Sequence, residues 1–147
     1  MSTLPPDDRH RRPVGVSDEV VEAVGTVSEA LEWVERARGR LYDFHQMMGR
    51  ADLLFGEAAD QLADAGAPKA ADDLRDVVVG RNVLEGRWTF QIIEEFDEGY
   101  WSAARATEER LRDELLAGRR HVFESEMKEE RRTQGRRHHE ARPPAGG

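Results

Sequence analysis

Residues 27–65 read VSEALEWVERARGRLYDFHQMMGRADLLFGEAADQLADA. Val27, Val34, Leu41, Met48, Phe55 and Leu62 recur every seven residues, and Ala30, Ala37, Phe44, Ala51, Ala58 and Ala65 follow them by three. An uninterrupted a/d pattern with a period of about 3.5 residues belongs to a helix and to neither a strand nor a loop. Thr26 with Glu29 has the spacing of a capping box, and Glu32 adds negative charge near the positive helix end. Gly66 followed by Pro68 supplies the stop. The stretch predicts one helix of roughly 40 residues, about 60 Å long. Gly39, Gly49 and Gly56 lie inside it, each costing about 1 kcal/mol against Ala, so contacts outside the helix must hold it. Ser17–Val24, with Asp18 and Glu19 at its start, predicts a separate turn or two.

The d row is almost all Ala, which lets two helix axes approach to the short end of the usual ~8–10 Å range. A partner for that seam follows in the chain. Ala71, Leu74 and Val77 or Val78 form a second apolar stripe, broken at Gly80. Asn82 with Glu85 has capping-box spacing. Leu84, Trp88, Ile92, Phe96 and Tyr100 then make an i, i+4 ridge, prolonged by Ala104, Thr107, Leu111, Leu115 and Val122, with Gly99 and Gly118 as weak points. If the return runs back along the first helix, position i faces roughly 134 − i, which sets Val34 against Tyr100, Leu41 against Ile93, Phe44 against Phe90 and Ala30 against Ala104. The expected fold is all-α: a long antiparallel hairpin of helix 27–65 and a kinked return helix from about 68 to beyond 120.

Composition limits what such a hairpin can do. Of 147 residues 35% are charged, the net charge is −8, and Leu, Ile, Val and Phe together make about a fifth of the chain. That is too little for a thick α/β core. Residues 1–16 hold three prolines, and residues 126–147 contain no Leu, Ile, Val, Phe, Tyr or Trp. Both stretches, each with a small basic excess, are expected to be disordered tails flanking an acidic helical domain at 17–125, with 126–134 able to prolong a helix. The absence of Cys excludes disulfides, thiol catalysis and Cys-ligated zinc. No apolar run approaches a membrane span and the N-terminus carries no apolar leader, so the expected location is cytoplasmic, away from membranes.

Three constellations carry possible chemistry. A ferritin-like di-iron centre needs Glu-x-x-His on two helices, and no His in this chain has Glu three residues before it. Glu94-Glu95-Phe96-Asp97-Glu98 matches EExxE. It resembles the magnesium-binding motif of the all-α nucleoside triphosphate pyrophosphatases, and the resemblance implies Mg²⁺ held by Glu94, Glu95 and Glu98 on substrate phosphates. The ExxD that follows in that family is missing, and the nearest substitute is Glu126 with Glu129. Third, His45 lies beside the a/d seam, in the same heptad row as Arg38, Asp52 and Ala59. Aromatic residues are dense around it, and a pocket with His45, Asp52, Arg81, Glu85, Trp88 and Trp101 would suit a flat small ligand.

Serine catalysis lacks a G-x-S-x-G context, and Gly80-Arg81-Asn82 and Gly86-Arg87 are too short to cradle phosphate and lack a preceding strand. The acidic body disfavours nucleic acid. No cofactor is implied. The sequence therefore reads as a non-enzymatic helical interaction or scaffold protein with an unknown protein partner. A homodimer is expected as well, because Tyr42, Met47, Leu53, Leu54 and Trp101 flank the seam. The alternative is a small-ligand or metal-nucleotide binding bundle.

Overall fold

The computed structural model describes residues 4–144, so the outermost residues of both expected tails lie outside the described part. After a 3-10 turn at Asp8–His10 come α1 (Asp18–Asp64), α2 (Pro68–Val77), α3 (Thr89–Phe96), a π-helical turn (Asp97–Trp101), α4 (Ser102–Leu116) and α5 (Val122–Arg131). Among the described residues there is no strand, and one isolated bridge joins Leu84 to Arg87. The fold is all-α. The chain divides into two compact units, residues 34–102 and residues 1–33 with 103–147.

The first helix begins earlier than the heptads predict. Ser17 is its cap, its hydroxyl accepting from the Val20 amide at 3.3 Å, with Asp18 and Glu19 in the first turn. The expected break before residue 27 is absent: the Thr26 hydroxyl donates to the Glu22 carbonyl one turn back at 3.0 Å, so it rides inside the helix and caps nothing. The end falls where the sequence places it. Gly66 takes φ 82, and the Ala67 amide returns to the Leu62 carbonyl at 2.8 Å, a Schellman closure that hands over to Pro68 at the start of α2.

Within the 34–102 unit the hairpin register is the expected one. Arg75 bonds Asp60, Asp52 accepts from the Gly80 amide, His45 meets Thr89, Arg38 meets Asp97 and Trp101 donates to Glu35. Each pair lies within two residues of the register in which i faces 134 − i. The rotation about the axes differs. On α1 the inward rows are a and e, with Leu41, His45, Met48 and Asp52 half-buried and Ala59 fully buried. The d row expected in the seam turns outward, leaving Ala37 and Phe44 exposed. The return shows the same slip: Thr89 and Ile93 are buried and Asp97 and Trp101 face α1, one residue on from the expected ridge of Trp88, Ile92, Phe96 and Tyr100. The proposed Phe44–Phe90 seam contact is therefore replaced, both rings being exposed.

The return is segmented as well as kinked. Gly80 and Gly86 take φ 72 and 71, conformations that a right-handed helix cannot hold. No helix starts at Asn82. Leu84 and Arg87 bond each other's backbone around Gly86, and α3 begins at Thr89, where Gln91 Oε1 accepts from the Trp88 amide at 2.8 Å.

The other unit has its own small core. Val21, Val24, Leu116 and Val122 are buried together, with Val16 and Val20 against them. Gly25 permits the close approach of α5: a Cβ there would lie 3.2 Å from Phe123 Cβ. Arg12 joins the N-terminal segment to this core, giving two 2.9 Å bonds to Glu126 and one of 2.6 Å to Asp18. Truncating Val21 removes two carbons from a fully enclosed site, so Val21→Ala should cost about 2–3 kcal/mol in denaturant titration. Leu53→Ala, on an exposed side chain, should change stability by less than about 0.5 kcal/mol.

Candidate functional site

The inward e row of α1 makes a polar seam. Arg38 lies flat against the return: its Nε and one terminal nitrogen donate to the two Asp97 oxygens at 2.8 and 3.0 Å. The guanidinium also stacks 3.8 Å over the Trp101 ring and 5.0 Å from that of Tyr42. Trp101 Nε1 donates to Glu35 at 2.9 Å. The π turn aims this cluster, because its wider winding brings both Asp97 and Trp101 toward α1, and the Ser102 hydroxyl closes it on the Asp97 carbonyl. Arg38 holds the Asp97 carboxyl below the usual carboxylate range, and Asp97 in turn raises the Arg38 guanidinium above its ordinary value. Seven residues on, His45 Nδ1 lies 2.6 Å from the Thr89 hydroxyl. Seven further, Asp52 Oδ1 takes the Gly80 amide at 2.8 Å.

The six pocket residues named from sequence part company. Asp52, Arg81 and Trp88 line one cavity of about 240 Å³, walled by Met48, Phe55, Val78 and Val83. Trp88 Nε1 reaches the Gly80 carbonyl at 3.3 Å and so ties the cavity wall to the turn. His45 stands behind the lining, joined to it through Thr89. Trp101 belongs to the Arg38 cluster. Glu85 lies in a different hollow, shared with Glu94, Glu95 and Glu98.

That second hollow gathers the three acids of the EExxE motif on one open surface. Arg87 crosses it and holds Glu95 at 2.5 and 3.3 Å, so one of the three carboxylates already has a cation. The fourth acid of the run, Asp97, is spent on Arg38. Glu126 and Glu129, the stand-ins for ExxD, are held by Arg12 and Arg132. A cation here would rest mainly on Glu94, Glu98 and Glu85.

A further cluster has no local signature in the sequence. Glu32, His121 and Glu124 bring one potential metal-ligand atom each to within 4.8 Å of one another, largely exposed. The Glu-x-x-His order is reversed here, Glu124 coming three after His121, and Glu32 joins only because Val122 anchors α5 beside α1. Arg38 was missed too, though its place in the His45 row was visible. Comparison with protein-family models, curated proteins and solved structures finds no match.

The Arg38–Asp97 pair gives the hairpin an acid-sensitive component. Asp97 is depressed in the folded state, so its contribution is complete above the unfolded-chain value, near pH 4, and fades as pH falls through the lower folded value. Asp97→Asn should be less stable than the parent chain at neutral pH. The gap between the two melting curves should close progressively below about pH 4.

Proposed function

We propose that this chain is a non-enzymatic, cytoplasmic helical interaction protein that offers one side of its 34–102 hairpin to a protein partner. The supporting observation is an inversion of burial. Inside that unit the buried apolar side chains are Ala59, Ala71 and Ile93, while Phe44, Met47, Leu54, Phe55, Trp88 and Tyr100 are 39–64% exposed. Side chains of this kind carry roughly 150–250 Å² each, so about half exposure leaves on the order of 600 Å² of apolar surface in water, the upper end of what a monomer tolerates. Among the described residues no helix is long and apolar enough to cross a membrane, and a protein surface is the apolar cover this reading assigns. The acidic residues do not outweigh that: Arg neutralises part of the EExxE run, and its family's second motif is missing.

A second reading has one observation of its own. The cavity of about 240 Å³ beside Asp52, Arg81 and Trp88 has apolar walls and two charged groups at its edge, which suits a flat small molecule. An aromatic probe seated there would perturb the emission of Trp88, and Trp88→Phe would remove that perturbation.

The main reading is tested by Met47→Glu combined with Leu54→Glu. If nothing of the chain's own covers these side chains, the doubly charged variant at high dilution keeps its helix content and unfolds within about 0.5 kcal/mol of the parent. A loss of 2 kcal/mol or more would mean that they pack inside one chain, and the interaction side would not exist. A rise in melting temperature on adding Mg²⁺ with nucleoside triphosphates would overturn the non-enzymatic half of the reading, because only a ligand of the folded state produces it.

A further inference from the structure

We infer that the partner is a second copy of this chain, docked antiparallel with Ala51 of α1 on the two-fold axis; this rests on the interaction side proposed above. On each helix the inward row lies one residue beyond the apolar row: His45 after Phe44 and Asp52 after Ala51 on α1, Thr89 after Trp88 and Ile93 after Ile92 on the return. One residue is about 100° of helical turn. Because the two helices run antiparallel, the same sense of rotation carries both apolar rows to the same side of the hairpin. The result is a two-helix layer with one apolar side, which is half of a four-helix bundle.

The row on α1 is close to symmetric about its centre. It steps by three, four, three and four residues through Phe44, Met47, Ala51, Leu54 and Ala58. Turned end for end about Ala51 it falls on itself to within one residue, about 1.5 Å along the axis. Phe44 comes opposite the partner's Ala58, Met47 opposite the partner's Leu54, and Ala51 opposite the partner's Ala51. Large meets small at both ends, and the central pair of Ala lets the axes close to about 8 Å. One step further out the row turns polar on both sides, eleven residues before Ala51 and ten after it, so that Arg40 comes near the partner's Gln61, a guanidinium donor against an amide oxygen. A contact in which i meets j and j meets i is what an isologous dimer requires, and an unrelated protein would not demand this symmetry. The area is of the right order too: the uncovered apolar patch with its polar margin approaches the ~800 Å² per partner of a standard interface.

The chain has no cysteine, which makes cross-linking a direct test. Ala51→Cys in the full chain, oxidised mildly at tens of micromolar, should give a disulfide-linked dimer in high yield, since Cβ atoms on a two-fold axis meet bonding geometry. Leu53→Cys, exposed on the other side of the same helix, should cross-link at least about tenfold more slowly. An equimolar mixture of Phe44→Cys and Ala58→Cys chains should join preferentially as the mixed pair, which keeps the test decisive if Ala51→Cys folds poorly. Light scattering should read twice 16.7 kDa for the parent chain. A parent chain that stays at 16.7 kDa would overturn the second copy as partner while leaving the uncovered side intact. A dimer that cross-links through Leu53 instead would place the contact on another side and remove the interaction side itself. Equal cross-linking rates at positions 51 and 53 would show chance collision and overturn the two-fold contact.

Discussion

The two-point contact of Arg38 on Asp97 sets how the hairpin is turned. Apolar burial is non-directional, near 25 cal/mol per Å², and is satisfied by many rotations of two helices about their axes. A guanidinium fork on a carboxylate is satisfied by one. Once Asp97 and Trp101 are fixed against Arg38 and Glu35, the return helix has no freedom to present Phe96 and Tyr100 inward. His45 with Thr89 and Asp52 with the Gly80 amide repeat the constraint at intervals of seven residues along α1. The polar row thus does for this hairpin what a single buried polar residue does in a coiled coil: it selects register and orientation at some expense of apolar contact.

That exchange explains which parts of the fold were legible. The long helix was, because seven-residue spacing leaves no other secondary structure open, and so was its end at Gly66 and Pro68. The register was legible for the same reason, since a tight turn at 66–68 fixes which residues can meet. The rotation was not. Hydrophobic periodicity reports which stripe of a helix is apolar, and it cannot tell whether that stripe meets the same chain or another one. Phe44 reads as a seam residue and lies outside it, Ala51 and Ala58 are half-buried at its edge, and Arg38, His45 and Asp52 read as flanking residues and lie within. The candidate site gathered residues that the same register keeps apart: Trp101 stands opposite Glu35, more than four turns along α1 from Asp52, and Glu85 sits in the turn around Gly86.

The other unit was hidden for a different reason. Its organising contacts span more than a hundred residues of sequence: Arg12 with Glu126, Arg11 with Arg119, His10 with Arg120. No local pattern announces a pairing of that range. A signal did exist in Val20, Val24 and Val27, whose spacing continues the helix upstream of the heptads, and Ser17 supplies the cap that Thr26 was expected to provide. The buried pair of Glu108 and Arg112 was also readable as an i, i+4 ion pair. What placed it inside was the Gly118 carbonyl, which Arg112 takes at 2.7 Å where α4 ends and the chain turns into α5. A cation at a helix C-terminus is favoured by the dipole, and here it also fixes the turn that brings Val122 back onto Val21 and Val24.

α1 spends its a and e rows on its own return chain and leaves Phe44, with Met47 and Leu54 beside it, exposed. Gly56 sits where a Cβ would meet Val79 at 4.0 Å, while Gly39 and Gly49 have open space around them. No crowding by the rest of the chain demands glycine at those two positions. They weaken the helix by about 1 kcal/mol each, and nothing within one copy returns that energy. Contacts along the outward row are what the proposed second copy would set against that cost.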